Sequence, residues 1–134
     1  MLADFPLNPV LPARDRERAE AFYVEKLGLR RMSPPGADPM AFGAGGATMV
    51  VLTVIAGREP PAFPVVAFLV EGIDSLVPDL VERGVEFVTP EDSSFAGVEG
   101  EIAGFITDYG AVKSAFLRDS EGNVLALNEI VATP

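Results

Sequence analysis

Apolar and polar positions alternate most regularly near the end of the chain, where residues 113–130 read KSAFLRDSEGNVLALNEI. Two alternating runs, 115–117 and 124–127, flank a cluster of Asp119, Ser120, Glu121, Gly122 and Asn123. Gly and Asn tolerate positive φ, and Asp and Ser bond to the local backbone, so the pattern predicts a β-hairpin. Side chains alternate across a strand, which puts Leu125 and Leu127 on one face and Val124, Ala126 and Asn128 on the other. The aliphatic face requires a helix or a core against it. The smaller face, ending in an amide, can line a cavity.

The rest of the chain supplies the elements that such a hairpin needs. Residues 5–12 are apolar but carry Pro6, Pro9 and Pro12, which predicts an edge strand or one with irregular pairing. The run RDRERAEAFYVEKLG predicts a helix capped by Asp15, with Ala19, Phe22, Tyr23 and Leu27 on one face and Gly28 ending it. A short strand over 29–32 and a loop over 33–39 follow. A hairpin then spans 40–42 and 48–55 around a glycine turn, and REPPAFP (58–64) reads as a linker. The second half repeats this order. A strand at 65–70 leads into a helix over 73–83, with Asp74 as cap and Leu76, Val77, Leu80 and Val81 as the buried stripe. Pro78 falls in or near its first turn, where it is least harmful. Gly84 ends this helix, 85–88 is a strand, and 89–110 is a long connection in which 98–107 can form a short helix.

Strand–helix–strand–strand–strand thus occurs twice, and the repeat sets the fold class as α+β. Module one covers about 5–57, the linker about 58–64 and module two about 65–131. One helix per four strands cannot cover both faces of a sheet. A face of each is left for the other module, a partner chain or a ligand.

The turn D-S-E-G-N between an aromatic and an aliphatic strand resembles the final hairpin of the vicinal oxygen chelate superfamily, which holds glyoxalase I, bleomycin-resistance proteins and extradiol dioxygenases. The run RAEAFYVEKLGL resembles that family's first helix, and VAFLVEGIDSLVPDLVERGVEF the start of its second module. The resemblance covers nearly the whole chain. It implies one domain over 1–134, built of two βαβββ modules whose curved mixed sheets enclose a cleft. It also implies a homodimer, since modules pair between chains in this family. Metal-dependent members carry His or Gln, Glu, His and Glu on the first and last strands of the two modules. Those positions fall here on Asn8, about Val51, Val65 and Ala126. Their neighbours Pro9, Val50, Leu52, Val66, Leu125 and Leu127 offer no better donors. One amide and three alkyl groups do not hold a divalent ion, so no metal and no cofactor is expected.

The cleft implied by the resemblance is lined by Val10, Met49, Val51, Thr53, Val65, Ala67, Leu69, Val124 and Ala126, with Asn8 and Asn128 as polar points. A concave apolar wall with a few amides is how small-molecule pockets are built. The competing reading is that these side chains fill a core. Phe95, Phe105 and Tyr109 in the long connection either close over the cleft or pack outside the sheet.

Composition removes several chemistries. A net charge of −10 over 134 residues argues against nucleic acid. It is compatible with steering a cationic ligand and equally with solubility alone. The chain has no cysteine and no histidine, hence no disulfide, thiol nucleophile or imidazole ligand. Asp108, Glu129 and Glu71 remain as candidate acid/base groups, but no spacing singles out a catalytic pair. No basic segment precedes an apolar stretch at the N-terminus, and the longest apolar run (49–56) is too short for a bilayer; a cytoplasmic protein with no membrane partner is expected. The resulting expectation is a metal-free small-molecule-binding protein, one version of which sequesters an antibiotic. Two alternatives stay open. One is a glyoxalase- or dioxygenase-like enzyme using other metal ligands or a carboxylate base, the other an interaction protein whose cleft closes on dimerisation.

Overall fold

A computed structural model of the protein describes residues 1–89 and 100–131. Chain contacts divide it into two compact units, residues 1–59 and 60–134.

In the first unit, β1 (Val10–Ala13) runs parallel to β4 (Met49–Val54), and β3 (Met40–Gly43) pairs antiparallel with β4 and with β2 (Arg30–Arg31). The order is β1-β4-β3-β2, with β1 at the edge. The strand expected from residue 5 begins only at Val10; Pro6 and Pro9 lack the N–H a ladder needs, and Leu2–Asp4 forms a 3-10 turn. Asp15 caps α1 (Arg16–Ala21) by accepting from the Arg18 N–H at 3.0 Å. The helix then widens into a π-helical turn, Phe22–Lys26, and Gly28 ends it at φ +72°. Leu11, Ala13, Met40, Phe42 and Leu52 are buried with Ala19, Phe22 and Tyr23. The Tyr23 ring stacks on Phe42 at 5.3 Å. Because strand positions alternate, this core leaves Val10, Val51 and Ala41, which sit side by side, on the opposite face.

In the second unit the sheet order among the described residues is β5-β10-β9-β8-β7, with β6 also paired to β9. The strands are β5 (Val66–Leu69), β6 (Glu86–Phe87), β7 (Glu101–Ala103), β8 (Ile106–Asp108), β9 (Val112–Arg118) and β10 (Val124–Ile130). Helix α2 (Ile73–Glu82) lies against β9 and β10. Both units therefore contain strand, helix, short strand and closing hairpin. The second has β7 and β8 inserted where a structureless connection or a short helix was expected. Glu101–Asp108 is a hairpin around Gly104 (φ +63°) and Phe105, flanked by the pair Ala103 and Ile106. A glycine with positive φ opening a two-residue turn is the hairpin connection that matches strand twist.

Three expectations about α2 are corrected. Its N-cap is Gly72 at φ +69°, not Asp74. The Glu129 carboxylate instead accepts from the Gly72 N–H at 2.7 Å and the Ile73 N–H at 3.3 Å. Starting at Ile73, the helix buries Ile73, Val77 and Leu80, while Val81 is exposed. Pro78 lies inside the helix rather than in its first turn.

Candidate functional site

The closing hairpin of the second unit has the two strands, the turn and the faces expected of it. Asp119 holds the turn: its Oδ1 accepts from the Glu121 N–H (2.9 Å) and the Asn123 N–H (2.7 Å), and its Oδ2 from Asn123 Nδ2 (2.8 Å). Gly122 takes φ +90°. The turn places Ala126 opposite Phe116 on β9 and beside Ala67 on β5. In the same way Asn128 lies between Ser114 and Leu69. These side chains share one face of the sheet. Leu125, Leu127, Ala115 and Leu117 occupy the other and are buried on the α2 side.

The first face is open along β5, where Leu69 is 77% exposed. Pro64, Val65, Val66, Ala67, Phe116, Ala126 and Asn128 line a depression of about 390 Å³ on it. Ala126 forms its floor and is only 4% exposed. That volume falls in the range of small-molecule sites, and the lining side chains are apolar except for Asn128, with polar backbone atoms exposed between them. Ser114 Oγ donates to Asn128 Oδ1 at 2.7 Å.

Of the residues expected to line a cleft, Val65, Ala67, Ala126 and Asn128 thus come together within the second unit. Phe105 does not join them. Its ring stacks on Phe87 at 5.5 Å, and Phe87 pairs with Leu117, which points to the opposite face. Tyr109 lines a separate depression with Glu101 and Asp108. Phe95 lies outside the described residues. In the first unit, Val10 and Val51 are strand partners, Thr53 lies beside Pro12, and Met49 pairs with Gly43, all on the face away from Tyr23 and Phe42. Thr53 donates to Asp38 at 3.2 Å. Asn8 precedes β1 and is exposed.

Sequence reasoning missed Phe116, Ser114 and Pro64. The first two were within reach. Once the turn at 119–123 is drawn, antiparallel pairing sets Phe116 against Ala126 and Ser114 against Asn128.

Two of the candidate acid/base carboxylates prove to be engaged by backbone. Glu129 caps α2, and Asp108 accepts from the Gly110 N–H at 2.8 Å. Lys113 donates to Asp74 at 3.1 Å, and this hydrogen bond and charge, with Asp108 and Glu129 nearby, hold its pKa above the ordinary lysine value.

Charge is unevenly shared. Residues 1–59 carry seven Lys/Arg and seven Asp/Glu, and residues 60–134 carry three and thirteen, so the whole −10 belongs to the second unit.

No family model matches the chain, and no curated protein matches it in sequence. Solved structures do match. A glyoxalase/bleomycin resistance protein/dioxygenase from Alicyclobacillus acidocaldarius superposes with a TM-score of 0.65 at 22% identity, covering 96% of this chain and 93% of that one. TnmS3, an antibiotic binding protein from a Streptomyces species, gives 0.61 at 22%, covering 95% and 98%. Lactoylglutathione lyase from Agrobacterium tumefaciens gives 0.63 at 18%, covering 93% and 92%. The chain therefore has the glyoxalase/bleomycin-resistance-like fold of the vicinal oxygen chelate superfamily.

The metal that some members of this superfamily use can be tested against the residues present. In the second unit the implied positions hold Val65 and Ala126, both in the depression and both without a donor atom. In the first unit Val51 is an alkyl group beside Val10. Among the described residues no three Asp, Glu, His or Cys side chains form a group able to hold an ion. This donor set does not fit a divalent metal. Among the described residues no helix is long and apolar enough to cross a membrane.

Proposed function

We infer that the protein binds a small, largely apolar molecule over Ala126 and does so without a metal ion. The carrying observation is the depression on the open face of β5, β9 and β10, walled by alkyl groups and one phenyl ring and marked by one amide. The acidic second unit favours a neutral or cationic ligand over an anionic one. An antibiotic is one concrete ligand, in keeping with the description of TnmS3 as an antibiotic binding protein. The chain acts as a homodimer in this reading, which is supported by the sheet edges at β1 and β5.

The test is a titration of the isotope-labelled full chain with a neutral aromatic probe, indane, followed by nuclear magnetic resonance. Shifts gathered at the amides of Ala67, Phe116 and Ala126 are expected. Unmoved amides there would end the reading. Calorimetry with nickel, zinc, iron and manganese should find no stoichiometric site of about micromolar affinity or tighter. One such ion held by the side chains around Ala126 would refute the metal-free part.

A further inference from the structure

We propose that Asn128 selects for a hydrogen-bond acceptor, so that the depression takes a neutral, mainly apolar molecule carrying a carbonyl group. This deepens the binding reading above and rests on it. An amide presents two acceptor lone pairs at one end and two N–H donors at the other. The Ser114 hydroxyl donates to the oxygen end of Asn128 at 2.7 Å, from the strand position directly opposite. The nitrogen end is thereby turned away from Ser114. Among the lining residues Asn128 brings the one polar side chain. A ligand that covers this N–H₂ with a methylene leaves a desolvated donor unmet, whereas a carbonyl satisfies it. A carboxylate would also accept, but it would enter a unit whose formal charge is −10. The neutral carbonyl is the acceptor that meets both conditions. The same amide turned end for end would show its oxygen and choose N–H donors or cations instead.

The labelled full chain is titrated with 1-indanone, indane and 1-aminoindane in ~0.5 M salt, where long-range attraction is screened. The backbone amides of Ala67, Phe116 and Ala126 report occupancy, and the Asn128 side-chain N–H₂ reports the bond itself. 1-Indanone is expected to bind about three- to tenfold tighter than indane, and it alone should move the Asn128 N–H₂ signals. In Asn128→Leu the two probes should bind equally. In Ser114→Ala, a milder change that keeps the test available if the first variant misfolds, the preference should narrow. Equal binding of 1-indanone and indane to the wild type overturns acceptor selection and leaves the binding reading standing. So does a preference that survives intact in Asn128→Leu. Tighter binding of 1-aminoindane with movement of the Asn128 signals overturns it in favour of the reversed amide. If no probe moves the reporter amides, the binding reading fails first and this inference with it.

Discussion

At the scale of single residues, the closing turn and the depression are set by a few side chains with separable roles. The Asp119 carboxylate accepts from the Glu121 and Asn123 N–H groups and from Asn123 Nδ2, which is why the turn could be read locally: the donors are its own neighbours in sequence. Gly122 holds φ +90°, and a Cβ added there would meet the Pro60 ring at 3.0 Å. Gly122→Val should therefore cost about 1–3 kcal/mol in urea unfolding. A change within ~0.5 kcal/mol would mean that the backbone relaxes freely at this site. Ala126 poses a different question, since a floor residue at 4% exposure resembles a core residue. Ala126→Leu separates the two. Filling the depression should abolish indane binding while stability stays within about 1 kcal/mol; overpacking a closed core would cost about 1–3. Asn128 was legible as a polar point on the small face. The role of Ser114 was within reach but missed: its partner lies fourteen residues away and is identified by the strand register that the turn at 119–123 fixes.

At the scale of elements, the order of strands and helices was legible because hydrophobic period and glycine stops are local signals. The ends of α2 show where this ceases to hold. Asp74 has the chemistry of a cap, but Glu129 arrives from β10 to accept from the Gly72 and Ile73 N–H groups. A cap contributed 57 residues away carries no local pattern. Glu129→Ala should destabilise the protein by about 0.5–2 kcal/mol, the usual range for losing a cap, and Asp74→Ala by less. Reversal of that order in thermal unfolding would restore Asp74 as the cap. Asp74 instead pairs with Lys113, whose pKa is raised in the folded state. A raised lysine contributes stability fully below its unfolded value of about 10.5 and loses it as pH climbs through the folded value. The stability difference between wild type and Lys113→Met should thus be flat from neutral pH upward and shrink only in strong alkali. A difference that grows there would contradict the pairing. The β7–β8 hairpin was missed for another reason. Gly104-Phe105 between Ala103 and Ile106 is a sound turn signal, but glycines on either side made the stretch read as connection.

At the scale of the whole molecule, the repeated order of elements set the α+β class, and the resemblance of the motifs supplied the particular fold. The wall of the depression was legible only in part, because residues from β5, β9 and β10 meet there through pairings that the sequence does not print. The chain's acidity was visible from the start. Its confinement to residues 60–134 follows from where the units divide. That confinement bears on self-association. β1 and β5 each hydrogen-bond to one strand among the described residues, and such edges are where sheets extend. A homodimer built through them would bring together two chains of formal charge −10, so repulsion should oppose it most when salt is low. Sedimentation at micromolar concentration in ~0.15 M salt should give twice the 14.2 kDa chain mass. At ~10 mM salt, where the screening length approaches 30 Å, the mass should fall toward that of one chain. Leu69→Lys, placing a charge on an exposed position of the β5 edge, should weaken the dimer at either salt. A single-chain mass under every condition would remove the dimer from the proposal. A dimer indifferent to both salt and Leu69→Lys would mean that the copies meet on a surface other than the β5 edge.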